Sequence, residues 1–279
     1  MLKTRRSLLA AVILGCFISV AAAYGQALTL RGDRWLAVTE VTGQVELMTA
    51  QGERRQAVPG DRLVSVGDRL LTGANSSARL EIDQKAGYVS VAENSQLRVQ
   101  TLSITTTGGR VTEIAVTLGQ VRLRIRRLTN PDTRIEIHTP AGVSGVRGTE
   151  FGVAVQPNGQ TGVATREGSI AARAQGQTVM VTAETQSIIY PGEPPTPPAP
   201  LTDDPTLLIE TLAKIPGTRK ARVVGYTDNV NLLEINQELQ TLERDGKFDL
   251  EVSLTPNRRI EALVTTPLGT EQLYELVVP

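Results

Sequence analysis

Residues 77–99 contain Ser77-Ala78-Arg79-Leu80-Glu81-Ile82, Gly87-Tyr88-Val89-Ser90-Val91 and Asn94-Ser95-Gln96-Leu97-Arg98-Val99. In each run an apolar residue alternates with a polar one, the period that puts successive side chains on opposite faces of a β-strand. The alternation extends outward from this stretch. Val45, Leu47, Leu63 and Leu70 continue it upstream, and it persists downstream to Tyr190. Gly52, Gly60, Gly67, Gly73, Gly87 and the Thr107-Gly108-Gly109 turn separate the runs. Short alternating runs punctuated by glycine indicate an all-β sandwich, barrel or solenoid. No stretch from Trp35 to Tyr190 offers a helix-length apolar face.

Proline dominates the next segment, Pro191-Gly192-Glu193-Pro194-Pro195-Thr196-Pro197-Pro198-Ala199-Pro200. Such a run lacks ladder donors and favours polyproline II, so residues 191–204 read as a semi-rigid spacer. Alternation then resumes. Residues 207–213, 221–226, 232–235, 240–242, 248–254, 259–265 and 272–278 are expected as seven short strands, with a hairpin turn at Asp245-Gly246. Seven such strands fit a small immunoglobulin-like sandwich over 205–279. With a spacer between them, the two halves are expected to share few contacts.

At the other end, Lys3, Arg5 and Arg6 precede an apolar run from Leu8 to Ala23, with small residues at Ala21-Ala22-Ala23. This is the layout of a cleaved signal peptide over residues 1–27, and it places the chain in the periplasm or at the cell surface. A retained anchor needs about 20 apolar residues, and the polar sequence from Gly25 onward falls short of that. No membrane span is therefore expected after cleavage. Thr4-Arg5-Arg6-Ser7-Leu8-Leu9 leaves a twin-arginine route open. Ile13-Leu14-Gly15-Cys16 leaves open a lipid anchor at Cys16.

Composition narrows the chemistry. Cys16 is the only cysteine, so a mature chain has neither disulfides nor thiolate sites. Loss of Lys3, Arg5 and Arg6 leaves 26 basic residues against 29 acids, a net charge of −3. That balance does not point to nucleic acid, and an aromatic content of 3% disfavours both a base-stacking surface and a sugar-stacking cleft. His138 is the sole histidine, which argues against a transition-metal centre. No nucleophile elbow or spaced calcium loop occurs. The expectation is a non-enzymatic protein without cofactor or metal.

The segment Pro140-Ala141-Gly142-Val143-Ser144-Gly145-Val146-Arg147-Gly148-Thr149-Glu150-Phe151 resembles the signature of the FecR domain. Asn158-Gly159 and Glu167-Gly168-Ser169-Ile170 follow it in the family's order. Upstream, Val66-Gly67-Asp68-Arg69-Leu70-Leu71-Thr72-Gly73, Asn94-Ser95-Gln96-Leu97 and Leu118-Gly119-Gln120-Val121 are similar to further landmarks of that family. The resemblance covers about residues 38–190 and implies a FecR-type solenoid or sandwich-like β-domain over 28–190. In iron-uptake signalling such proteins join a cytoplasmic sigma-factor-binding segment and a transmembrane helix to the periplasmic domain. Here the cytoplasmic part would end at Arg6, so the chain looks like a stand-alone exported version. A membrane-anchored relay of a periplasmic signal is the alternative. Val223-Val224-Gly225-Tyr226-Thr227 and Gly246-Lys247-Phe248 are similar to openings of bacterial immunoglobulin-like modules.

Two places invite a binding role. In Val121-Arg122-Leu123-Arg124-Ile125-Arg126 the arginines share one strand face while Val121, Leu123 and Ile125 enter the core. This is either a solvated face, with Glu136 as a cross-strand partner, or a basic strip for an anionic envelope polymer or an acidic partner protein. The second place is Arg147 within Gly142, Gly145 and Gly148. It is either an anion clamp or part of a glycine-rich structural corner that also involves Thr149, Phe151 and Gly168.

Overall fold

The computed structural model describes residues 34–83, 85–146 and 148–279. They fall within one compact unit, Arg31–Pro279. Residues 1–33, with the expected signal segment and Cys16, lie outside the described residues, as does Arg147. Every described element is a strand.

Strand Arg110–Ile125 organises the larger half. Gly119, at φ 85°, bends it, so its two segments lie in different layers. In one layer, residues 119–125 sit between Gly87–Val91 and Glu150–Val155. That layer continues through Ser77–Ile82 to Leu36–Thr42 on one side, and through Thr161–Glu167 to Thr185–Ile189 on the other. In the second layer, residues 110–118 pair with Gln96–Ile104 and Arg134–His138. The latter pairing is parallel and leads to Val143–Val146, Ser169–Ala174 and Gln177–Thr182. Between the layers lies one core that includes Leu36, Leu80, Val89, Leu97, Ile114, Leu123, Ile135 and Phe151. The fold is all-β, as the alternation requires.

Two polar fixtures sit at the family-like landmarks, and a third joins Arg34 to Asp83. Asp68 accepts backbone N–H groups from Ala50, Val64 and Ser65 at 2.8–2.9 Å and so pins two loops. Ser95 and Gly119 meet at the bend. Ser95 Oγ accepts the Gln120 N–H at 2.9 Å, and a Cβ on Gly119 would lie 2.2 Å from that oxygen. Buried Arg34 pairs with Asp83 and donates to the Val111 carbonyl and Thr112 Oγ1 at 2.6 Å.

The C-terminal half has its own core, centred on Phe248, Val223, Leu233, Ile260 and Val264. Its seven strands are Leu208–Lys214, Lys220–Tyr226, Leu232–Ile235, Glu238–Gln240, Lys247–Ser253, Arg259–Thr265 and Glu271–Val277. They form antiparallel sheets of three and four strands. Each lies within two residues of its expected position.

Two expectations change. The proline-rich run does supply a ladder. Ala199–Pro200 pairs with Thr185 and Gln186 as an edge, where a residue without an N–H is tolerated. Thr196 also exchanges hydrogen bonds with Ile188 at 2.9 Å. Nor are contacts between the halves few. The outer face of Glu150–Val155 and Thr161–Glu167 carries small residues, and the backbone of the C-terminal half lies directly on it. A Cβ at Gly152 would sit 1.7 Å from the Pro267 carbonyl oxygen, and one at Gly162 would sit 2.4 Å from that of Val230. Gln156 Nε2 donates to the Asn229 and Asn231 carbonyls at 3.1 Å while its Oε1 accepts the Leu242 N–H at 3.0 Å. Buried amides satisfied in this way hold a fixed register.

Candidate anion-binding face

Pairing registers place the arginines beside their neighbours. Ser90 lies opposite Arg122 and Tyr88 opposite Arg124. One strand further out, Arg79 lies opposite Ser90. Val121, Leu123 and Ile125 are buried, so Arg122, Arg124 and Arg126 project from the outer face and are exposed. Together with Arg79, Gly87, Tyr88 and Ser90 they line a depression of about 500 Å3. A second hollow, of about 230 Å3, shares Arg79, Ser90 and Arg122 and extends to Leu268, Gly269 and Glu271 of the C-terminal half.

These cations are only partly neutralised. Arg79 Nη1 holds Glu40 at 2.7 Å with both side chains substantially exposed. Arg124 Nε is 3.7 Å from Glu150, and its side chain is 78% exposed. Arg122 Nη1 donates to the Leu268 carbonyl at 3.3 Å. Among the described residues the Arg126 side chain has no ion-pair partner. Exposed pairs of this kind contribute about 0–1 kcal/mol each, so an incoming anion displaces little. Four guanidinium groups over one hollow can grip carboxylate or phosphate oxygens through paired N–H donors.

Glu136 is not the partner expected for this strip. It lies in the other layer, beside Glu113 in the parallel pairing, and accepts from Arg173 at 2.6 Å. The strip pairs through residues 119–125 and the Glu136 strand through residues 111–115 of the same bent strand, which separates them. Glu136, Glu113 and His138 do bring ligand-type atoms within 4.8 Å of one another. Glu113 already accepts from Thr101 and Arg134, which hold it below the usual carboxylate range against the opposing effect of burial. Both carboxylates of the trio already pair with an arginine, Glu113 with Arg134 and Glu136 with Arg173.

The signature corner carries the chain from one layer to the other. Gly148, at φ 122°, packs against backbone, and a Cβ there would lie 2.7 Å from the Arg127 Cα. Thr149 accepts the Ile125 N–H through its carbonyl at 2.9 Å, and Gly168 packs on Gly148 and Thr149. Phe151 is fully buried. A Cβ on Gly142 would meet the Arg173 carbonyl at 2.5 Å, whereas Gly145 has more room. These residues build a crossing point and stand apart from the arginine hollow's lining.

One buried carboxylate has no local sign in the sequence. Glu234 is 3% exposed and accepts from Asn94 Nδ2 at 2.6 Å, across the contact between the halves. Burial, then the nearby Glu93 charge, pushes it up to about 7. Glu271 is raised for the same two reasons.

Residues 68–171 match the family model described as FecR protein. The match spans both layers, the signature corner and the arginine strip. No curated protein matches the chain. Among solved structures, two of a proposed anti-sigma factor from Parabacteroides distasonis share 13% and 15% identity. Each likeness covers 48% of this chain and 59% of the other, with TM-scores of 0.40 and 0.39. A polysaccharide lyase shares 11% identity over 88% of this chain and 40% of its own, with a TM-score of 0.20. At such scores these likenesses carry no functional argument.

Proposed function

We infer that this is an exported, non-enzymatic binding protein of the bacterial envelope, and that the arginine face of its FecR-like half engages an anionic envelope ligand. The hollow lined by Arg79, Arg122, Arg124 and Arg126 carries this reading. It gathers exposed cations on a chain whose mature net charge is slightly negative, and a local basic field steers anionic partners. In this reading the C-terminal sandwich is an immunoglobulin-like module that braces the face and borders its far end. The N-terminal basic and apolar run supports export by a signal peptide, to the periplasm or cell surface.

Retention of envelope-extract components on the immobilised protein tests the reading. Replacing Arg122, Arg124 and Arg126 with Gln weakens retention and flattens its salt dependence, because screening acts on exposed charges. Equal retention by both proteins at every salt concentration overturns it.

The FecR match favours a second reading, a membrane-anchored regulator relaying a periplasmic signal. The mass of the N-terminus in the exported protein separates the two. A start between Tyr24 and Leu28 supports the free form, and an intact Met1 supports the anchored one.

A further inference from the structure

We propose that the arginine trough takes a linear, carboxylate-bearing polysaccharide laid along residues 119–126. This deepens the anion-binding reading and rests on it. Alternate residues of a strand stand about 6.6 Å apart, so Arg122 and Arg126 are separated by roughly 13 Å. Arg79 lies two strands away from Arg122, about 9.6 Å to the side. A single small anion fills only part of the depression of about 500 Å3 that these four arginines line. An extended chain with repeated charge spans it.

The lining selects against a folded protein. Protein interfaces rest on apolar or aromatic anchors packed at their centre. Here the surface is arginine, serine and glycine with the half-buried ring of Tyr88. The large exposed apolar residues, among them Val64, Val66, Met180, Leu208 and Leu273, lie outside the hollow. Tyr88 offers a flat apolar face with a polar tip, suited to a sugar ring. Carboxylate is the matching charge, because Arg79 and Arg124 already hold carboxylates from Glu40 and Glu150; a ligand carboxylate exchanges like for like. The turn at 266–270 borders one end, where Arg122 meets the Leu268 carbonyl and Gln120 Nε2 donates to that of Pro267 at 2.7 Å.

Titration calorimetry of the full chain tests this, with polygalacturonate, trigalacturonate and galacturonate as ligands and with dextran, poly-L-glutamate and polyphosphate for comparison. Affinity for uronates rises about tenfold or more from monomer to polymer, because each further contact is intramolecular. Dextran does not bind. The Arg122→Gln, Arg124→Gln, Arg126→Gln variant loses roughly tenfold in affinity for the polymer at an unchanged melting temperature. Arg126→Gln alone, at a side chain with no ion-pair partner among the described residues, loses a smaller share. If galacturonate binds as tightly as its polymer, the extended geometry is wrong. If poly-L-glutamate or polyphosphate binds through the arginines and polygalacturonate does not, the anionic face stands and the polysaccharide assignment falls. If no polyanion binds in an arginine-dependent way, both fall.

Discussion

Buried at the contact between the two halves, Glu234 keeps its proton up to about pH 7. Its folded value lies above the ordinary 4.5, so the folded state binds more protons between those limits. The associated stability is fully present below about pH 4.5 and is lost as pH rises through 7, amounting to at most about 3.5 kcal/mol. Glu93, Glu271 and Asn94 face this group, and the two carboxylates add to the penalty on its charge. Melting temperature should therefore fall between pH 5 and 7.5, and Glu234→Gln should flatten that slope. A wild-type profile as flat as the variant's would mean Glu234 does not titrate there. Gly148 sets a different constraint. Its φ of 122° and the Arg127 backbone behind it leave no place for a side chain. Gly148→Val should cost about 1–3 kcal/mol, read as a lower urea midpoint, with anion binding intact in the fraction that folds. A stable variant that fails to bind would instead make the signature corner the site.

Strands Glu150–Val155 and Thr161–Glu167 show how one element serves two surfaces. Phe151, Val153, Val155 and Val163 fill the inner core, while Gly152, Ala154, Gly162 and Ala164 present a flat outer face to the C-terminal half. Gly152→Val should push Pro267, and with it the C-terminal half, off this face while sparing the inner core. Limited proteolysis after residue 190 should then accelerate while strands 77–125 stay protected, and unchanged cleavage would contradict the contact. The large-small alternation Phe-Gly-Val-Ala-Val was in the sequence as the sign of this docking face. It reads equally as an ordinary half-exposed strand, because alternation reports that one face is buried and does not say whether the other meets water or protein. The strand positions and the arginine strip were legible, since both follow from period two alone. Residues distant in sequence were not: Asn94 with Glu234, Gln156 with Leu242, and Arg79 beside Arg122 depend on tertiary placement. The position of Glu136 failed for the same reason, because nothing local shows that Gly119 bends its neighbouring strand into a second layer.

Across the whole molecule, the two halves have separate cores but share a hydrogen-bonded contact, and the arginine trough runs to its border. They should unfold together. Calorimetry should show one transition in the wild type and two in Gly152→Val, whereas two well-separated transitions in the wild type would show that the contact contributes little. This coupling matters for function because the turn at 266–270 limits the trough, so displacing the C-terminal half opens that end. The claim that joins these levels is that Arg79, Arg122, Arg124 and Arg126 form one binding surface. Dicarbonyl modification of arginines, mapped by mass spectrometry with and without saturating polygalacturonate, tests it most directly. Protection of those four side chains, with exposed Arg54 and Arg258 equally modified in both samples, is the predicted result; equal modification of all six, or protection centred elsewhere, would contradict it.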